Sequence, residues 1–202
     1  MKKIKYGVTL IIFITILIMF LIKSIRLGNY ENFIPVISTI FAFFIPIIVE
    51  KIFKIKLPDI LKTFFVIFIF VSKFMGGDNF YFSTMPLYDK IIHLIYGIFS
   101  YFISIFILVR FVRIKKTNIL FNIFFCIVFA LGTSVIWEFL EFAFDKVLYQ
   151  NNQRLETGIN DTMFDLMYTS MSCIIVSMFY YVEEKLNKSI IVNKFINSLN
   201  KV

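Results

Sequence analysis

The chain is 202 residues long, 59% apolar and only 17% charged, with a formal net charge of +8, and its mean hydropathy is +0.85. That balance excludes a soluble globular domain. Runs of about 20 mostly apolar residues, in place of short alternating strands, make the expected fold all-α: a polytopic integral membrane protein.

Six transmembrane helices are predicted, over residues 6–22, 33–50, 60–77, 87–109, 119–144 and 161–182. The first follows Lys2, Lys3 and Lys5 as a secretory signal would. Its apolar run is too long for a signal, however, and no small-residue cleavage site follows, so it is expected to stay as a helix. The third is bounded by Lys62 and Lys73, which can snorkel to the interfaces, and Pro58 can open it. Residues 183–202 form a tail in which Leu186, Ile190, Ile191, Phe195 and Ile196 alternate with lysines; it is expected to lie on the cytoplasmic membrane surface or to be solvated.

Orientation follows from the basic residues. With the N-terminus inside, Lys2, Lys3, Lys5, Lys51, Lys54, Lys56, Lys62, Arg110, Arg113, Lys115 and Lys116 fall in the cytoplasm, joined by Lys185, Lys188, Lys194 and Lys201. Only Lys23, Arg26, Lys73, Lys90, Lys146 and Arg154 fall outside. The positive-inside rule thus places both termini in the cytoplasm of a bacterial cytoplasmic (inner) membrane protein. Anionic membrane lipid accounts for the net charge, and no nucleic acid partner is needed. Cys126 and Cys173 fall within predicted helices and are expected to be buried free thiols.

Acidic residues then stand out against the apolar background, since ionisable groups inside a membrane are costly and commonly mark a site. Asp89 and His93, the one histidine, open the fourth predicted helix; Glu138 and Glu141 lie late in the fifth; Asp161 and Asp165 open the sixth. All six lie toward the outer side, each pair within roughly 10 Å of its helix's outer end at 1.5 Å per residue. At about 100° per residue they share faces with small or polar residues. The stripes are Asp89, His93, Gly97, Ser100 and Ser104; Ala130, Ser134, Glu138, Glu141 and Asp145; and Asp161, Asp165, Thr169 and Ser172. Such stripes let membrane helices pack closely, so the last three helices are expected to meet through them.

Three readings of the cluster follow. Hydrated carboxylates, with Asp161 as a cap or dipole partner of the sixth helix, are the structural one. A metal site is the second: carboxylates and an imidazole at i, i+3 and i, i+4 spacing on facing helices suit a divalent ion, with Mn, Fe, Mg and Zn all open. The third is a proton or cation relay in a transporter, against which stands the lack of an inverted repeat and of carboxylates toward the cytoplasmic side. No phosphate-binding glycine loop occurs.

The strings YDKIIHLIYGIF, WEFLEFAFD and GINDTMFDLMYTSM, in that order, resemble the blocks of YjdF-like bacterial membrane-spanning proteins, a family without an established function. The resemblance spans residues from about 60 to 182 and implies Asp89, His93, Glu138, Glu141, Asp161 and Asp165 as signature positions. The first string is also similar to the aspartate-lysine-x-x-histidine block of VanZ-like proteins, some of which are associated with glycopeptide (teicoplanin) resistance. Their glutamate–glutamine pattern and the arginine before the last aspartate are not reproduced here, so that association is not carried over.

The expected function is therefore an outward-facing, divalent-metal-binding intramembrane site. Asp89, His93, Glu138, Glu141, Asp161 and Asp165 are its candidate ligands, and Glu138 or Glu141 its candidate general base. The expected substrate is a small molecule, lipid or cell-envelope intermediate. The alternative is a non-enzymatic transporter or envelope-lipid binding protein that uses the same cluster.

Overall fold

The computed structural model describes residues 6–76, 85, 87–148 and 159–199. Most of the expected outer loop around Arg154 lies outside the described residues. Eight α-helices are found among the described residues: α1 (Tyr6–Arg26), α2 (Phe33–Ala42), α3 (Ile45–Phe53), α4 (Asp59–Ile69), α5 (Tyr88–Ile107), α6 (Ile119–Leu148), α7 (Ile159–Lys185) and α8 (Val192–Leu199). Among the described residues, five stretches are long and apolar enough to cross a membrane: Tyr6–Arg26, Phe33–Phe53, Tyr88–Val112, Ile119–Val147 and Ile159–Lys185.

The third expected span, 60–77, takes another form. Eleven residues of α4 run into a π-helical segment, Phe70–Met75, which together lie at the short end of the roughly 17–25 residues of a full crossing. The expected second span is broken in the middle. Pro46 stands at the start of α3, where it has no N–H to give and its ring would clash with the carbonyl four residues back, at Ala42, the last residue of α2. The chain crosses the break on tighter bonds, from Phe44 N–H to Phe41 O and from Ile47 N–H to Phe44 O.

The fold divides into two compact units, Met1–Asp89 and Lys90–Val202, the boundary falling inside the first turn of α5. In the first, the rings of Phe13 and Phe70 lie 4.5 Å apart, and those of Phe20 and Phe74 meet edge-on at 5.0 Å. Buried Leu17, Val36, Phe43 and Val66 fill the space between the helices. Helix α1 ends at Gly28, whose φ of +71° lets Gly28 N–H reach Ile25 O and Asn29 N–H reach Ser24 O, satisfying two terminal carbonyls. Near α4, Lys62 pairs with Glu50 and Asp59, each at 3.2 Å.

In the second unit, α5, α6 and α7 surround Tyr101, Ile105, Leu108, Cys126, Ala130, Cys173 and Val176. Both cysteines are buried free thiols. Gly97 sets the approach of α5 to α7: a Cβ there would collide with Ser172 Oγ and come to 2.6 Å from Thr169 O. Outward-facing residues on α6 and α7 are apolar, for example Phe139, Met167 and Met178, as a lipid-facing surface requires.

The tail forms a docked helix. The Glu183 side chain is buried and accepts the backbone N–H groups of Ile191 at 2.7 Å, Val192 at 3.2 Å and Asn193 at 2.7 Å. Those are the donors that the first turn of α8 cannot satisfy within itself. The Glu183 carbonyl meanwhile accepts Lys188 N–H at 2.8 Å beyond the left-handed Asn187, so one residue ends α7 and begins α8. Val192 and Ile196 are buried in the core, and Phe195 meets Phe102 edge-on at 5.1 Å.

Candidate functional site

The three stripes predicted from spacing lie on facing sides of α5, α6 and α7. On α7 the buried positions include Asp161, Asp165, Thr169, Ser172, Val176, Tyr180 and Glu183, steps of three and four that mark one helical face. On α5, His93, Gly97, Ser100 and Ser104 are buried; on α6, Ala130, Ser134, Glu138 and Asp145 are buried, and Glu141 is half-buried.

The centre of the cluster is His93, 2% exposed. Its Nε2 lies 3.8 Å from Glu138 Oε1 and 3.9 Å from Asp165 Oδ1. Asp89, one turn earlier on the same helix, joins them: ligand-capable atoms of Asp89, His93 and Asp165 lie within 4.8 Å of one another. One oxygen from each carboxylate and one ring nitrogen can thus face a single point, as a bound divalent ion would require.

Three of the six candidate ligands, Glu138, Glu141 and Asp161, lie outside that three-residue group. Glu141 accepts the indole N–H of Trp137 at 2.7 Å and is not part of the three-residue group. Trp137 thereby orients a carboxylate, and its ring lies 6.3 Å from that of Tyr96. Asp161 instead faces Lys90, whose Nζ lies 2.6 Å from Asp161 Oδ1 and 2.7 Å from Asp165 Oδ1.

Lys90 is the residue of the cluster that was not among the candidates drawn from the sequence. In a tally of charges by membrane side it is one external lysine among several. A signal was available: it lies beside Asp89 in the first turn of a helix with no further lysine or arginine before Arg110. An ammonium there has to snorkel or pair. It pairs, and that supplies part of the positive charge the metal reading had assigned to an ion.

Beneath the cluster runs a ladder of small polar groups. Thr169 Oγ1 donates to His93 O at 3.4 Å and lies 3.3 Å from Ser134 Oγ. Ser172 donates to Thr169 O, Cys173 Sγ to Gly97 O, and Ser177 to the Tyr101 hydroxyl. These bonds satisfy polar groups that lipid cannot solvate and hold the three helices in register.

An all-helical chain with five such stretches and a buried ionisable cluster on three of its helices has the properties of a multi-pass integral membrane protein. The chain belongs to the family described as predicted membrane protein (DUF2238), whose profile matches residues 8–185. It is also similar to an uncharacterized protein of Thermotoga maritima, 29% identical over 142 residues, which covers 68% of this chain and 70% of the relative. No solved structure matches.

Proposed function

We propose that this protein, a six-span protein of the bacterial cytoplasmic membrane with both termini inside, holds a divalent cation at Asp89, His93 and Asp165 and acts on a lipid or cell-envelope intermediate at the outer side. The observation that carries the reading is the 4.8 Å grouping of those three side chains, two of them buried. Mixed oxygen and imidazole donors suit Mn, Fe, Mg or Zn. Asp165 can bond Lys90 and an ion together, because a carboxylate has about four lone-pair sites.

Such an ion would supply Lewis acidity and an acidified water. Glu138, 3.8 Å from His93, would be the carboxylate to take that water's proton. Glu141, bonded to Trp137, has a positioning role. Lys90 fixes the Asp165 carboxylate and moderates the charge of the donor set. The YjdF-like resemblance fits this reading and assigns no reaction.

The test is element-resolved metal analysis of purified protein, prepared with the candidate metals present. Wild type should carry roughly one ion per chain; His93→Ala and Asp165→Asn should lose it, and Glu138→Gln should keep it. Metal-free wild-type protein sinks the proposal. Orientation is tested separately by reporter fusion at Lys115, expected to read as cytoplasmic.

A second reading is favoured by Lys90 and by the polar ladder: a cluster compensated by its own lysine, serving a proton or cation relay or envelope-lipid recognition without a metal. It predicts no bound ion in wild type and cation-dependent flux in reconstituted vesicles, lost in Asp165→Asn.

A further inference from the structure

We propose that the pocket between the α5–α6 and α7–α8 connections binds a phosphorylated polyol, the chemistry shared by glycerophospholipid headgroups and soluble glycerol or sugar phosphates. The cavity is about 430 Å³, many times the roughly 30 Å³ of a water molecule and within the size range of small-molecule sites. It lies entirely within the second unit, where α6 begins and α7 ends. Tyr180 in its wall is fifteen residues along α7 from Asp165, about 22 Å at 1.5 Å per residue. The pocket is therefore separate from the acidic cluster, at the opposite end of the same helix.

The lining has two chemistries. Lys115 and Lys188 bring ammonium groups and Glu184 a single carboxylate, which leaves an excess of one positive charge for a phosphate. Asn193, Asn197 and Ser189 add amides and a hydroxyl; Asn193 Nδ2 donates to Lys188 O and Asn197 Nδ2 to Ser189 Oγ, which leaves the amide oxygens, the second N–H of each amide and the Ser189 O–H for alcohol groups. Ile114, Ile119 and Ile196 close the remaining wall against the carbon skeleton.

The floor is built and buried. Asn122, 2% exposed, accepts the Thr117 hydroxyl at 2.6 Å, donates to Ile114 O at 3.2 Å and donates to the Tyr180 hydroxyl oxygen at 3.4 Å. Because that oxygen is the acceptor in its bond with Asn122, the Tyr180 O–H remains as a donor in the pocket wall. Lysines at the rim and an oriented phenol below suit a phosphate bearing hydroxyls better than a simple cation or an apolar ligand. The level of the pocket, at the ends of membrane-crossing helices, suits a lipid headgroup, whose negative charge is concentrated there.

The test uses the full chain in detergent, with native mass spectrometry of bound phosphatidylglycerol against phosphatidylcholine and calorimetry with glycerol 3-phosphate. Wild type should bind at least one of the two phosphate probes. A Lys115→Ala/Lys188→Ala pair should weaken that binding at least tenfold, and Tyr180→Phe several-fold, with the melting temperature of each near wild type. If the alanine pair expresses poorly, Lys115→Gln/Lys188→Gln keeps the side-chain bulk and serves instead. Phosphatidylglycerol retention without a calorimetric response assigns the site to lipid; saturable glycerol 3-phosphate binding assigns it to a soluble ligand. Absence of binding by both probes, or binding that these substitutions leave unchanged, overturns the proposal.

Discussion

Lys90 Nζ lies 2.7 Å from Asp165 Oδ1, and that same oxygen lies 3.9 Å from His93 Nε2. One carboxylate thus stands between a fixed cation and the ring nitrogen at the centre of the cluster. The geometry makes Lys90 a competitor for any ion as well as a partner of the acids, and the two roles are separable.

Lys90→Met removes the cation and leaves Asp161 and Asp165 facing one another. Removing one partner of a buried pair costs about 3–5 kcal/mol, so thermal unfolding should shift down by several degrees, whereas Lys90→Arg should hold near wild type. Millimolar Mn²⁺ or Mg²⁺ should recover much of the loss in the methionine variant if a metal site is present. An unchanged melting temperature in Lys90→Met would count against the ion pair.

Trp137 is the single tryptophan, which turns its bond to Glu141 into a spectroscopic reporter. Glu141→Gln keeps an acceptor oxygen and should leave the emission maximum in place. Glu141→Leu removes the acceptor, should shift the emission, and should cost about 1–3 kcal/mol for the indole N–H left unsatisfied. Identical spectra for the two variants would show that the indole bond is not formed.

Gly97→Ala inserts a methyl group against Ser172 Oγ and the Thr169 carbonyl. Overpacking of this kind costs about 1–3 kcal/mol. Adding Ser172→Ala should fail to rescue it, because the 2.6 Å contact is with Thr169 backbone. Gly132→Ala, which meets nothing within 4 Å, should be neutral or gain up to about 1 kcal/mol from helix propensity. Equal melting temperatures for Gly97→Ala and Gly132→Ala would contradict the close crossing.

Glu183→Ala should free α8 from α7. The loss of a cap costs about 0.5–2 kcal/mol, and the local effect should be larger than the global one: amide exchange at Ile191, Val192 and Asn193 rises and limited proteolysis appears near Lys188. Glu183→Gln, which retains an acceptor oxygen, should show a smaller rise. Unaltered exchange in Glu183→Ala would mean that apolar packing alone holds the helix.

Much of this was legible in the primary structure because membrane helices are written plainly: long apolar runs for α1, α6 and α7, and steps of three and four that put Asp161, Asp165, Thr169 and Ser172 on one side of a helix. Charge assignment by membrane side could not reveal Lys90 as a bridge, since a tally treats every basic residue as a solvated topological marker. Nor does hydropathy distinguish the π-helical segment after Ile69 from continued α-helix, as both are equally apolar. The break at Pro46 was readable, but only by giving one imino acid more weight than its apolar neighbours. Glu183 was hidden for a different reason: a carboxylate that caps another helix looks the same in sequence as one in water.

The 75 residues between Lys90 and Asp165 also set a timetable. At roughly 5–20 residues per second of synthesis, the ribosome delivers Asp165 on the order of ten seconds after Lys90. For the later part of that interval α5 (Tyr88–Ile107) is complete while the carboxylates of α7 do not yet exist. Its ammonium can wait only because it sits in the first turn, within snorkelling reach of the headgroups; the same lysine two turns deeper would have to be handed to the bilayer core unaccompanied. A lysine in the first turn of α5 is thus compatible with the order of translation as well as with the finished site, and the arrival of α7 is the step that closes the cluster.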